Sequence, residues 1–134
     1  MDYTVFDEFF EGIQIIDEEF RYLYVNNEVC AQAGVSKVEL VGKRMVEVFP
    51  QLRDSNVMEH ISNCMNSGEP TQIINEFTDP HGNQGYFRLR FKRLADGVLI
   101  SSQDISSLKR EKFDLLFENS RQLADAGQHS EAQQ

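Results

Sequence analysis

Residue types able to do chemistry are few and scattered in this 134-residue chain. Histidine stands at His60, His81 and His129, and cysteine at Cys30 and Cys64. None falls at metal-ligand spacing, so no metal site is expected. The two cysteines make no redox motif and read as small buried hydrophobes. No nucleophile is paired with a base, and no Gly-rich loop is set to cradle a phosphate. His129-Ser130-Glu131 lacks the apolar residues and proline that follow a phosphoacceptor His-Glu pair. No catalytic residue is therefore assigned, and the chain is read as a non-enzyme. What remains is binding chemistry. Asn75 alternates with Ile73 and Phe77, and Ser101 and Gln103 alternate with Leu99. A polar group facing an apolar core finds a partner or costs about 1–3 kcal/mol. A few such groups converging on an apolar cavity make a small-molecule site.

The elements that must position these groups follow from periodicity. Val5, Phe6, Phe9 and Phe10 fall on one helical stripe, so residues 1–12 read as an amphipathic helix closed by Gly12. Strands are expected at 13–17 and 20–26, with Asn26 or Asn27 capping the next helix. Short helical pieces follow, ended by Gly34, Gly42 and Pro50. A longer helix opens at Asp54 or Ser55, carries Val57, Met58, Ile61, Cys64 and Met65 on one face, and closes at Gly68. Three strands are then expected at 73–77, 86–94 and 98–105. The turns Asp79-Pro80-His81-Gly82-Asn83 and Ala95-Asp96-Gly97 separate them. A helical pattern with Leu108, Leu115, Leu116 and Leu123, interrupted by Asn119, covers 107–126, and 127–134 is a polar tail. The architecture is α+β: a core over 13–106 with a five-stranded antiparallel sheet and a helical insert on one face.

Composition agrees with one such domain. The chain is 40% hydrophobic, with ten Phe and no Trp. Its net charge of -9 argues against nucleic acid as a direct partner. No apolar run has the length of a membrane span, so membrane insertion is not expected, and the free cysteines suit a reducing cytoplasm. The acidic residues crowd the first nineteen positions, whereas Arg88, Arg90, Lys92 and Arg93 share one strand.

The order of elements and several local strings resemble the PAS family. Gly12-Ile13-Gln14-Ile15-Ile16-Asp17 looks like its first strand, and Phe20–Asn27 like its second strand with the capping Asn. Glu39-Leu40-Val41-Gly42-Lys43-Arg44, Val46-Glu47-Val48-Phe49-Pro50 and Asp104-Ile105-Ser106 are similar to further family signatures. The likeness covers about residues 5–107. It implies a sensory or regulatory module that binds a small ligand or cue and passes a signal through its C-terminal helix. The output domain, such as a histidine kinase or diguanylate cyclase, lies outside this chain. The rival reading is a ligand-free dimerisation or protein-docking module. A homodimer is expected.

The resemblance also places the site. The cavity is expected between the inner sheet face and the insert, with Asn75, Ser101 and Gln103 as polar groups. Phe49, Met58, Ile61, Phe77, Phe87 and Leu89 are its apolar candidates. Asp104, Ile105, Ser106, Lys109 and Arg110 form the expected signal relay. The reactive-cysteine motif of flavin photosensors is absent, and His60 sits about a turn away from the axial position of haem sensors. Neither flavin nor haem is expected, and the ligand is an unidentified small molecule. On this register Tyr22, Tyr24, Ile74, Val98 and Ile100 fall on the outer sheet face, to be covered by the Phe6, Phe9 and Phe10 stripe.

Overall fold

The computed structural model describes residues 2–108. The chain divides into two units, 1–104 and 105–134. The first holds strands β1 (Gly12–Ile16), β2 (Tyr22–Val25), β3 (Thr71–Thr78), β4 (Gln84–Leu94) and β5 (Gly97–Asp104). They form one antiparallel sheet in the order β2-β1-β5-β4-β3. Between β2 and β3 lies the helical insert: α1 (Asn27–Ala33), α2 (Lys37–Leu40), α3 (Met45–Val48) and α4 (Asn56–Ser67). Of the second unit, the described part is Ile105, which is buried, and the turn α5 (Ser106–Leu108). Lys109, Arg110, the rest of the 107–126 helix and the 127–134 tail lie outside the described residues.

The helix ends stand where local chemistry sets them. Ser36 and Glu39 form a capping box on α2: Glu39 Oε1 accepts the Ser36 N–H at 2.8 Å. Those bonds hold the Glu39 carboxyl below its ordinary value. Gly34 and Gly68 end α1 and α4 at φ 74° and 77°, a backbone that disfavours a side chain.

The core lies between the sheet and the insert. Phe87, Leu89 and Phe91 of β4 and Ile16 of β1 meet Leu40, Met45, Phe49, Val57, Ile61 and Cys64 there. Three expectations about faces are corrected. Val98 and Ile100 are fully buried in this core, not on the outer face. Pairing fixes the phase: Ile100 stands opposite Phe91 and Ser102 opposite Leu89, so 98, 100 and 102 point inward. Ser101 and Gln103, paired with Arg90 and Arg88, point outward. Tyr22 also turns inward, because the β1–β2 register shifts between Ile15 and Ile16, whereas Tyr24 and Ile74 stay on the outer side as expected.

The N-terminal stretch is the other correction. In place of a helix over 1–12 it makes a single 3-10 turn, Thr4–Phe6. The cause is Asn26, the N-cap of α1, which is wholly buried. Its Oδ1 accepts from the N–H of Ile13 at 2.9 Å and of Val29 at 3.0 Å. Its Nδ2 donates to the carbonyls of Phe6 at 2.9 Å and Glu11 at 3.0 Å. The Phe6 carbonyl, which a helix would give to Phe10, instead accepts from this amide and from the Phe9 N–H at 3.2 Å. The stretch lies against Tyr24: Tyr3 and Phe6 contact its ring, and its hydroxyl donates to the Asp7 carboxylate. Tyr3 donates to Asp96 at 2.7 Å, and that bond, with some burial, pushes its phenol up to about 12. Phe10 is 98% exposed and does not cover the sheet.

Candidate functional site

Sheet alternation and one helix bring four polar side chains to a single cavity of about 80 Å³. Gln14 comes from β1, where it pairs with Ile100 of β5 and therefore shares its inward face. Asn75 comes from β3, opposite Phe87. Ser102 comes from β5 and Gln32 from the last turn of α1. The Tyr22 phenol adds a neutral hydroxyl, and the remaining wall is apolar and includes Val29, Leu40, Phe49, Val57, Phe77, Phe87, Leu89 and Ile100. Phe49 and Phe77 meet edge-on with ring centres 5.2 Å apart.

Gln32 and Ser102 form a clamp between helix and strand. Ser102 Oγ donates to Gln32 Oε1 at 2.6 Å, and Gln32 Nε2 donates to the Ser102 carbonyl at 3.1 Å and to Glu28 Oε2 at 3.2 Å. Gly12, opposite Ser102, makes room for the clamp. A Cβ there would lie under 3.0 Å from Ser102 Oγ, Val29 Cγ2 and Gln32 Oε1. Gln14 and Asn75 differ from this pair. Among the described residues, neither amide has a side-chain hydrogen-bond partner. Burial of the Tyr22 phenol raises its pKa well above the ordinary value, so it stays neutral beside them.

Of the residues singled out from sequence, the structure brings Asn75, Phe49, Phe77, Phe87 and Leu89 to this cavity. Ile61 is fully buried but packs in the core away from it, and Met58 is half-buried beside the core. On α4 the cavity wall is Val57 instead. Ser101 and Gln103 are on the opposite sheet face, where Gln103 accepts from Arg88 at 3.3 Å. Ser102, Gln14 and Gln32 were missed. The signal for Gln32 was its position three residues after buried Val29 and beside buried Ala33. Of the relay candidates, Asp104 ends β5 exposed, Ile105 is buried and Ser106 opens α5.

The ordinary reactive groups are placed elsewhere. The His60 ring stacks on Phe91 and its Nδ1 lies 3.2 Å from Thr71 Oγ1, outside the cavity wall. Burial pushes both the Cys30 and Cys64 thiols up, which disfavours the reactive thiolate. Among the described residues no group of His, Cys, Asp and Glu is arranged to hold a metal ion. No helix among them is long and apolar enough to cross a membrane.

A five-stranded antiparallel sheet with a helical insert over a cavity defines the PAS class. A family model described as PAS fold matches residues 6–110, and the chain belongs to that family. Its members are typically sensory modules of signalling proteins. Among solved structures, a domain of a sensory box sensor histidine kinase/response regulator from Geobacter sulfurreducens is 26% identical. It matches with a TM-score of 0.64 over 75% of this chain and 89% of that one. The PAS domain of an HTR-like protein from Haloarcula marismortui is 20% identical, with a TM-score of 0.63 over 76% and 92% of the two chains. The PAS domain of a LuxR-family transcriptional regulator from Burkholderia thailandensis, in complex with ethanol, is 17% identical. Its TM-score is 0.63 over 79% and 99%. A search of curated proteins by sequence returns no match.

Proposed function

We propose that this chain is a non-enzymatic, cytoplasmic sensory module. It holds a small molecule in the cavity between sheet and insert and relays occupancy along β5 to Asp104, Ile105 and Ser106. From there the signal passes through Lys109 and Arg110 into a helix that acts on an output domain and on a second copy of the chain. The observation that carries this reading is the Gln32–Ser102 clamp. Ser102 is at once part of the cavity wall and two residues from the end of the strand that leads out of the sheet. A guest seated against Ser102 therefore presses on the exit strand. The ethanol-bound Burkholderia domain supports a small guest in this fold.

The size of the cavity argues against haem and flavin. A cavity of about 150 Å³ is filled by one benzene, and this one measures about 80 Å³. The purified chain should be colourless, and a Soret or flavin band would refute that part of the reading. The relay is tested by Gln32→Leu, which breaks the clamp from the helix side. Backbone amide signals from Asp104 to Leu108 should shift with it. If they stay fixed while only α1 and the facing part of β5 respond, the relay fails.

A ligand-free docking or dimerisation module is the second reading. The small cavity and the exposure of Phe9 at 47% and Phe10 at 98% favour it. Amide NMR titration with small uncharged guests separates the two readings, through saturable shifts at the cavity residues in the first and none in the second.

A further inference from the structure

We infer that the cavity selects an uncharged guest of about three to five heavy atoms carrying both a hydrogen-bond donor and an acceptor, in the manner of a small primary amide or alcohol. This rests on the ligand reading above and narrows it to a chemical class.

The polar wall is made wholly of neutral groups. Gln14, Gln32, Asn75, Ser102 and the Tyr22 phenol supply its hydrogen bonding, and among the described residues no Asp, Glu, Lys, Arg or His lines it. An ion entering such a wall sheds its hydration with no opposite charge to meet it, which is strongly unfavourable. The charge behind the wall also has a sign. Glu28 holds Gln32 Nε2 at 3.2 Å, so the helix-side amide is backed by a carboxylate, which disfavours an anion further.

The hydrogen-bonding capacity is then divided in a specific way. Gln32 is spent: its oxygen takes the Ser102 hydroxyl, and its nitrogen serves Glu28 and the Ser102 carbonyl. Gln14 and Asn75 hold carboxamides that make no side-chain hydrogen bond among the described residues. Each offers two donors and two acceptor sites. A guest with donor and acceptor on adjacent atoms satisfies both kinds at once, whereas an acceptor-only carboxylate leaves the amide oxygens facing a negative charge. The volume, about 80 Å³, is roughly half that of a benzene-sized cavity, which sets the heavy-atom count. Even at five heavy atoms, a guest this small binds no tighter than on the order of a few micromolar.

Acetamide and acetate are isosteric, so they separate charge from size. The full chain is titrated with each at neutral pH, up to about 100 mM given the affinity ceiling, and followed by amide NMR. Saturable shifts at Gln14, Asn75 and Ser102 are expected with acetamide, at least about tenfold tighter than with acetate. Asn75→Leu should weaken acetamide by about tenfold or more while leaving the fold intact and xenon binding in place. Equal or tighter binding of acetate overturns the inference, and so does the absence of a saturable acetamide response. Xenon, or acetate itself, then tells how far the failure reaches. If either enters the cavity, the ligand reading stands without the proposed class. If none of the three probes binds, both fall.

Discussion

Two polar clusters flank the first two residues of β1, and they are built on opposite terms. On the Ile13 side, Asn26 is wholly buried and makes four hydrogen bonds, to Ile13, Val29, Phe6 and Glu11, which is the full capacity of a carboxamide. It joins the N-terminal stretch, β1 and α1 at one point. On the Gly12 side, Gln32 and Ser102 clamp one another, while Gln14 and Asn75 look into the same cavity without partners among the described residues. The first arrangement leaves nothing for a guest to bind and holds the fold. The second leaves two half-buried amides with capacity to spare, which is what a binding site requires.

The largest effect should come from breaking the first cluster. Asn26→Ala removes four hydrogen bonds and strands two buried donors and the Glu11 carbonyl, so a loss of about 3–5 kcal/mol is expected in urea unfolding. Asn26→Asp keeps the accepted bonds, loses the donated ones and buries a charge, and it should be nearly as damaging. A loss under about 1 kcal/mol for Asn26→Ala would erase the distinction between the two clusters.

Gly12→Ala attacks the second cluster sterically. Its Cβ would press on Ser102 Oγ, Val29 Cγ2 and Gln32 Oε1. The expected cost is about 1–3 kcal/mol, the usual range for overpacking. The Ser102 and Gln32 signals should move while the Asn26 side-chain amide signals stay in place. Movement of both sets together would mean that the clusters are one unit.

The smallest effect should come from an exposed cap that belongs to neither cluster. Glu39 has its carboxyl held low, chiefly by the Ser36 backbone bond. A depressed carboxylate stabilises the fold at pH values above its unfolded value, near 4.5, and that contribution is lost as pH falls through the folded value. Glu39→Ala should lower the melting temperature slightly at neutral pH. The gap from the wild type should close as pH falls through the folded value, while the gaps for Asn26→Ala and Gly12→Ala persist there. A gap for Glu39→Ala that survives acid would mean that its side chain acts through packing.

The contrast between these clusters also explains what the sequence disclosed. The five strands, the insert, a cap at Asn26 or Asn27 and the stops at Gly34 and Gly68 were legible, because each has a local signal in alternation, capping or turn chemistry. Asn75 was legible because Ile73 and Phe77 flank it on a strand with one apolar face. Ser102 was not. Val98, Leu99 and Ile100 are apolar in succession, so alternation has no visible phase there, and only pairing with Phe91 and Leu89 sets it. Gln14 was hidden in the same way between Ile13 and Ile15. The inward turn of Tyr22 depends on a register shift, which no periodicity records. The N-terminal stripe of Val5, Phe6, Phe9 and Phe10 suggested a helix, but Asn26, twenty residues on from Phe6, takes the carbonyl that a helix needs.

The central claim is that the cavity amides are kept for binding and not for folding. Urea unfolding of Asn75→Leu tests it most directly. Asn75 faces apolar side chains without a partner among the described residues, so leucine should be neutral or stabilising, at about 0 to +1 kcal/mol. A loss of about 2 kcal/mol or more would place Asn75 with Asn26 as a structural residue and contradict the account.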